Sequence, residues 1–303
     1  MARISIIDVG SNSTRLSVYV CEPDGSHVLV HQFRVPTSLG LCMGEDGALS
    51  TEGIDRVCSS LQDVLANSRG NYADETHVLA TASLRDPSNA AEVLTAVQTR
   101  VGVAVEVITG EQEASMGLSS LLNSCECTDG VSVDAGGRST EVVSFAGRAL
   151  VHASSLPFGV LALKKRFDTE RVLSAQQQTQ IKELVCAELD RAGFENPDCR
   201  KRLYGLGGTA RAAADLLGAF HDTDPQKPFA MQRLADFAER VHAADRQAWT
   251  LIERIYPKRV ETIGCGLLIL LTIAERFGAE EFNLAQASVR DGYLIERVLN
   301  TNN

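Results

Sequence analysis

One motif is written twice in this chain. "ISIIDVGSNST" begins at Ile4 and "VSVDAGGRST" at Val131; each reads apolar run, Asp, any residue, Gly, two residues, Ser, Thr, and then returns to strand-like sequence. Asp134 follows Asp8 by 126 residues (134 − 8) in a chain of 303. A repeat of this size constrains the fold more than any short motif, because each copy must be a supersecondary unit of the same kind. The length allows two such units of about 150 residues, each with its own core. Taken singly, "GSNS" is ordinary hairpin chemistry, since Asn and Ser bond their own backbone and Gly admits positive φ. The echo makes it informative.

The elements around each copy predict an α/β fold. "ARISIIDVG", "TRLSVYVCE" and "HVLVHQFRV" alternate in the strand manner around the turn signals "GSNS" and "EPDGS", giving a three-stranded meander. A helix follows from a Ser50 or Thr51 cap, with Ile54, Val57, Leu61 and Leu65 at helical spacing and Gly70 as its stop. "THVLATAS" reads as a strand, "DPSNAAEVLTAVQTRVG" as a helix opened by Asp86-Pro87, "VAVEVIT" as a strand and "GEQEASMGLSSLLNS" as a helix. The second copy repeats strand, tight turn, strand and strand. The helix "SAQQQTQIKELVCAELDRAG", the strand "RLYGLG", the helix "TARAAADLLGAF" and further helices follow. The expectation is two similar lobes, 1–120 and 121–303, with a cleft between two facing Asp-Gly hairpins and the last helix a candidate to pack back on the first lobe.

Composition removes several function classes. A net charge of −10 argues against general nucleic-acid binding, which needs a basic face. Lys164-Lys165-Arg166, Arg200-Lys201-Arg202 and Lys258-Arg259 read as solvated faces or local anion sites. The longest apolar run, "CGLLILLTIA" at 265–274, falls short of the roughly 20 residues that cross a bilayer and reads as a buried helix. "MARISIID" lacks the order of a signal peptide, so a cytoplasmic location is expected. Cysteines at 21, 42, 58, 125, 127, 186, 199 and 265 read as reduced, mostly buried small side chains. The exception is "CEC" at 125–127, a soft-metal or redox pair by composition, without the second Cys or His pair that zinc spacing requires.

The chemistry the repeat suits is phosphate chemistry. Backbone N–H groups of two Gly-Ser turns can converge on an anion, and larger side chains would block its approach. A carboxylate at the end of each preceding strand, Asp8 and Asp134, suits Mg²⁺, which takes one or two carboxylates plus waters and substrate phosphates. This differs from a P-loop, because Gly-Lys-Ser/Thr is missing and a strand follows each turn. "GLGGTA" at 205–210 fits a dinucleotide fingerprint, but the chain about twenty residues later is the loop "TDPQKP", with no strand to aim an acid at a ribose.

"DVGSNSTRL", "ATASLRD", "TGEQEA", "VDAGGRSTE", "GLGGTAR" and "RDGYL" occur in the order and spacing of the exopolyphosphatase and guanosine pentaphosphate phosphohydrolase (Ppx/GppA) family. The chain resembles that family over essentially its whole length. The resemblance implies two actin-like, ribonuclease H-like lobes of the sugar kinase, Hsp70 and actin superfamily. It places the catalytic glutamate at Glu113, with Gln112 in the slot of the family's first acid, to align or deprotonate the attacking water. The rival reading is that Glu111 and Glu113 only complement the positive end of a helix. Asp134 and Glu141 match two acids of the family's second loop, the first as magnesium ligand and the second as outer-shell or alternative acid, with Asp8 opposing. A plain strand residue facing solvent is the rival reading for Glu141. Gly10, Ser11, Asn12 and Ser13 look like the first phosphate loop. Gly136, Gly137, Arg138, Ser139 and Thr140 look like the second, and Gly207 and Gly208 close around the ligand's far end at a helix N-terminus. Arg85 would present its planar fork to phosphate oxygens, the alternative being a surface ion pair near Asp86. Arg15 and Arg259 match positions near the nucleotide of a guanosine ligand, although "PKRVET" has Val260 and Glu261 where relatives carry Ala and Asp.

Two departures shape the expectation. Arg138 occupies the third glycine slot of the second loop, where it adds a cation or crowds the turn. Longer relatives carry a helical metal-dependent phosphohydrolase-like domain that this chain, ending at "ERVLNTNN", does not show, which with the acidic surface points to short polyphosphates or a nucleotide. The expected function is Mg²⁺-dependent release of the terminal phosphate of polyphosphate. The alternatives are guanosine pentaphosphate hydrolysis, a weakly active alarmone or polyphosphate binder, and a superfamily kinase. A homodimer and independence from membranes are expected.

Overall fold

The computed structural model describes residues 1–44, 46–194, 198 and 200–299, so Cys199 lies outside the described residues. In chain order the elements are β1 (Ala2–Val9), β2 (Ser13–Cys21), β3 (His27–Pro36), α1 (Thr51–Gly70), β4 (Glu75–Ala80), α2 (Ala82–Arg85), α3 (Ala90–Val101), β5 (Glu106–Val107) and α4 (Gly110–Ser124). They continue with β6 (Gly130–Ala135), β7 (Thr140–Ala146), β8 (Ala149–Leu156), α5 (Val160–Phe167), α6 (Ala175–Arg191), β9 (Arg202–Leu206) and α7 (Gly207–His221). β10 (Phe229–Ala230), α8 (Met231–His242), α9 (Arg246–Ile255), α10 (Ile263–Phe277), β11 (Glu281–Leu284) and α11 (Val289–Tyr293) complete the order, with a π-helical stretch over Leu294–Leu299. Among these, no helix is long and apolar enough to cross a membrane.

The chain divides into two compact units, Met1–Met116 with the chain from Val289 onward, and Gly117–Ser288. The sheet of the first runs β3-β2-β1-β4-β5; that of the second runs β8-β7-β6-β9-β11 with β10 on its far edge. In each, three antiparallel strands are followed by a parallel one: β1 lies antiparallel to β2 and parallel to β4, and β6 antiparallel to β7 and parallel to β9. The repeat extends to its irregularities. A bulge interrupts the β2–β3 pairing at Val18/Tyr19 and the β7–β8 pairing at Ser144/Phe145, again 126 residues apart (144 − 18). A shared bulge is a fold feature rather than an accident of packing.

Strand alternation then decides which side chains meet which helices. Ile7 and Val9 of β1 join α1 and α3 in one core of the first unit, whereas Ile4 and Ile6 pack with Met116, Tyr293 and Leu294 in another. Asp8 shares the parity of Ile4 and Ile6 and so belongs to the face covered by α11. In the second unit Val131, Val133 and Ala135 enter a core built with α6, α7 and α10, and Asp134 takes the other face. The run "CGLLILLTIA" lies in α10, which is buried over nearly its whole length.

Three boundaries differ from the sequence reading. The strand begun at Glu75 stops at Ala80, and Ala82–Arg85 winds into a helical turn. α3 opens at Ala90 after Asn89, not at Asp86-Pro87, because the Asn89 side chain is committed to Leu49, whose N–H it accepts (2.8 Å) and whose carbonyl it bonds (3.0 Å). "VAVEVIT" is shortened to Glu106–Val107, the two residues that β4 can pair before it ends.

Burial pushes the His242 imidazole from 6.5 down to about 4, with the Lys182 charge acting in the same direction. Between these values the unfolded chain binds a proton that the folded chain refuses, so the contribution is fully present above about 6.5 and is lost as pH falls toward 4. Thermal unfolding across that window should show a falling midpoint, and His242→Leu should flatten the slope.

Candidate functional site

The two Asp-Gly turns are built alike. β1 and β2 are last paired at Val9 and Thr14, β6 and β7 at Ala135 and Thr140, so residues 10–13 and 136–139 form loops of equal length. Gly10 N–H donates to the Ser13 carbonyl at 3.2 Å and Gly136 N–H to the Ser139 carbonyl at 3.0 Å. Neighbouring segments take up the loop carbonyls. In the first unit Asn12 O accepts from Thr37 N–H (3.1 Å) and Ser38 N–H (3.2 Å). In the second, Gly136 O accepts from Val160 N–H (2.9 Å) and Gly137 O from Leu161 N–H (2.9 Å) at the head of α5. Among the described residues, the N–H groups of Ser11, Asn12 and Gly137 donate to no backbone carbonyl. A loop whose carbonyls are spent on its own scaffold keeps its N–H groups for an anion.

Gly159 is where this brace is tightest. A Cβ there would stand 2.5 Å from Gly136 O, 2.6 Å from Gly137 C and 2.7 Å from Arg138 N, all backbone atoms of the second loop. Gly159→Ala is therefore expected to displace the loop, costing about 1–3 kcal/mol of stability as an overpacked site and weakening anion binding. Thermal unfolding with and without tripolyphosphate checks both.

A second pair of anchors follows the same offset. Ser83 Oγ donates to the Val9 carbonyl, and Thr209 Oγ1 donates to the Ala135 carbonyl at 2.6 Å. Each ties the first turn of a helix, α2 or α7, to the strand end that launches a loop. Ser83 and Thr209 are 126 residues apart (209 − 83); the offset could have found the pair in the sequence, since "TASLR" and "GGTAR" align on it.

The first unit gathers Arg85 and Glu113. α2 ends at Arg85, whose Nη1 donates to the Ile108 carbonyl (3.1 Å) and to Glu113 Oε2 (3.3 Å), while its Nε faces Asp86 Oδ1 at 3.3 Å. The ion pair with Asp86, one of the two alternatives set out for it, is thus present, and the same guanidinium also meets Glu113. Glu113 sits in the first turn of α4 and is only 8% exposed. Glu111, on the same turn, is exposed, and bonds to its own backbone N–H and to Thr109 hold its carboxyl below the usual range. Only Glu111 behaves as a simple helix-end charge; Glu113 is packed against a cation.

Asp8 has an unexpected partner. Arg290 of α11 is buried, donates Nε to Ser17 Oγ at 2.9 Å, and places Nη1 3.2 Å from Asp8 Oδ2. Asp291 beside it accepts from Tyr19 O–H at 2.6 Å. Burial, followed by the Asp291 charge, pushes the Tyr19 hydroxyl well above its usual range. Sequence reasoning quoted "RDGYL" without giving Arg290 a role. Asp8 Oδ1 is buried and has no hydrogen-bond partner. A buried carboxylate oxygen left unpaired is costly unless something supplies the missing interaction. A hard cation or its water shell would supply that missing interaction, so the residue fits Mg²⁺. Arg15, the cross-strand neighbour of Asp8, donates Nε to Ser13 Oγ at 3.2 Å, at the base of the first loop.

In the second unit Asp134 and Glu141 are direct cross-strand neighbours. Glu141 is 6% exposed and accepts from Ser155 Oγ at 2.7 Å, which overturns the solvent-facing reading. Gly207 opens α7 at φ +73°, and a Cβ there would meet Asp134 Oδ1 at 2.1 Å. A Cβ on Gly208 would meet the Arg259 guanidinium at 2.4 Å. The N-terminus of α7 is therefore not bare: a carboxylate faces its first residue and an arginine its second. Arg138 is half-buried on the second loop, whose backbone keeps the same turn over 136–139 as its counterpart over 10–13. The guanidinium therefore does not prevent the turn from forming. Among the described residues, no group of three or more His, Cys, Asp and Glu side chains gathers as a metal cluster.

A sequence model of the Ppx/GppA phosphatase family matches residues 19–301. Among solved structures, an Aquifex aeolicus member of the Ppx/GppA family is similar with a TM-score of 0.82 at 26% identity, over 100% of this chain and 99% of that one. An exopolyphosphatase from Cytophaga hutchinsonii shares the fold at a TM-score of 0.85 and 18% identity, over 99% of this chain and 98% of that one.

Proposed function

From the premise that this chain belongs to the Ppx/GppA phosphatase family, a family of phosphohydrolases, we propose that it is a Mg²⁺-dependent exopolyphosphatase. The observation that carries this reading is the pair of equal Asp-Gly loops, each with its carbonyls tied down and an aspartate at its base. Loop N–H groups take phosphate oxygens, and Arg85 adds a planar cation for the same charge. Glu113 accepts a proton from water as the water oxygen bonds to the terminal phosphorus. The bridging P–O bond breaks, and the shortened chain leaves with the electron pair. Asp8 in the first unit and Asp134 in the second are the carboxylates suited to Mg²⁺, which when bound would neutralise charge on phosphate oxygens. The Arg85 contact fixes Glu113 in one orientation, so the base is placed before substrate arrives.

Guanosine pentaphosphate is the second substrate to weigh, because Arg259 stands at the head of α7 where a further phosphate or a nucleotide would find a cation. Orthophosphate release from short and long polyphosphate and from guanosine pentaphosphate, each with and without Mg²⁺, separates the two. The expected result is Mg²⁺-dependent release, fastest on short polyphosphate. Release confined to the pentaphosphate would move the assignment to that substrate. Tight binding of either ligand without release, with turnover restored by Arg138→Gly, would make the protein a binder instead.

A further inference from the structure

Asp8 already has a cation beside it. Arg290 Nη1 stands 3.2 Å from Asp8 Oδ2, and the two side chains are 8% and 16% exposed, so little water screens their charges from a third. A second guanidinium follows from the register: Arg15 is the direct cross-strand neighbour of Asp8, and such neighbours stand on one face of the sheet. One carboxylate thus shares its corner of the first unit with two positive charges.

The Arg290 charge is also fixed in place. Its Nε donates to Ser17 Oγ at 2.9 Å, on a fully buried serine. The next three residues hold α11 down. Asp291 accepts from Tyr19 O–H at 2.6 Å, Gly292 packs so closely on the Met116 carbonyl that a Cβ would overlap it, and Tyr293 O–H donates to Glu106 Oε2 at 2.7 Å. Anchored this way, the guanidinium does not swing clear, and a bare dication brought to Asp8 meets a like charge that stays. Yet Asp8 Oδ1 is buried without a hydrogen-bond partner, a state that favours a donor or a cation. Both demands are met when the cation arrives already charge-balanced. Mg²⁺ carried on phosphate oxygens brings little net positive charge, and this ion ordinarily draws its ligands from substrate phosphates and water as much as from carboxylates.

On the phosphohydrolase reading above, we propose that Arg290 stands in for a resident cation at Asp8, so that the free protein binds Mg²⁺ weakly there and takes it up as the Mg²⁺ complex of polyphosphate. Arg290 is a positioning residue in this scheme. It touches Asp8, and through Asp8 it sets the form in which substrate is accepted.

Equilibrium dialysis of the full chain, with Mn²⁺ as probe and a methylene-bridged triphosphate analogue that cannot be hydrolysed, tests this without turnover. Wild-type protein alone should retain Mn²⁺ weakly, and about tenfold more tightly once the analogue is present. Arg290→Gln removes the charge and keeps a donor. Without analogue it should bind Mn²⁺ on the order of tenfold more tightly than wild type, and adding Asp8→Asn should abolish the gain. Mere damage to the fold would weaken metal binding, not strengthen it. Mn²⁺ should also raise the thermal midpoint of Arg290→Gln more than that of wild type, because a ligand stabilises the fold that binds it. Should Arg290→Gln fail to fold, wild type and Asp8→Asn decide the matter. Wild-type protein that retains Mn²⁺ as tightly without the analogue as with it, at a site Asp8→Asn removes, overturns the proposal; so does a folded Arg290→Gln protein with wild-type affinity for Mn²⁺. Mg²⁺-dependent phosphate release beside either result keeps the phosphohydrolase reading and sinks only this role of Arg290. Release that ignores Mg²⁺, or no release, sinks both.

Discussion

Glu113→Gln is expected to lower turnover on polyphosphate by about 10²–10⁴-fold, the range a positioned general base supplies, while leaving the unfolding transition within about 0.5 kcal/mol of the wild type, as for a substitution that keeps shape and packing. The backbone at this position is secured without the side chain, because Glu113 N–H donates to the Thr109 carbonyl at 2.9 Å. Glutamine has the same shape and still offers an oxygen to Arg85 Nη1, the partner now at 3.3 Å from Oε2. What it loses is the capacity to take a proton from water. Steady-state phosphate release, paired with a thermal melt of the same sample, separates that loss from misfolding. Turnover near the wild-type level would remove Glu113 from the reaction.

Arg290→Leu is expected to destabilise the first unit by about 3–5 kcal/mol, the cost of stripping the partner from a buried charge. The side chains of Arg290 and Asp8 are 8% and 16% exposed, so little water is available to replace the lost contacts. Ser17 Oγ loses a donor in the same step. Adding Asp8→Asn to Arg290→Leu removes the stranded carboxylate, and the double variant should recover part of the loss. The four-corner cycle measured by denaturant unfolding gives that coupling directly. If Arg290→Leu cost under about 0.5 kcal/mol, the size typical of surface substitutions, the pair would not be a buried one.

What was legible in the sequence was whatever is encoded locally or repeated. The Asp-Gly turns, the helix capped at Ser50 and the apolar α10 announce themselves within a few residues, and the echo 126 residues on turns two turns into a pair. The Asp8–Arg290 contact was not legible, because it joins residues 282 positions apart and depends on strand parity to choose the face that α11 covers. Glu141 was hidden for a related reason. Its hydrogen-bond partner is a cross-strand serine on β8, which a reading along one strand does not see. Arg85 was placed correctly near a strand end but for an incomplete reason, since a short helical turn, and not the strand, aims it at Glu113. Asn89 shows how tertiary context moves a helix start: its side chain ties Leu49, and α3 begins after it.

In the proposed reaction water, with Glu113 as base, attacks the terminal phosphorus of a polyphosphate chain. Hydrolysis of polyphosphate in ¹⁸O-labelled water with Mg²⁺, followed by mass analysis of the products, tests it most directly. Each released orthophosphate should carry one solvent-derived oxygen while the shortened chain carries none. Label on the shortened chain instead of the orthophosphate, or no orthophosphate release at all, would contradict it.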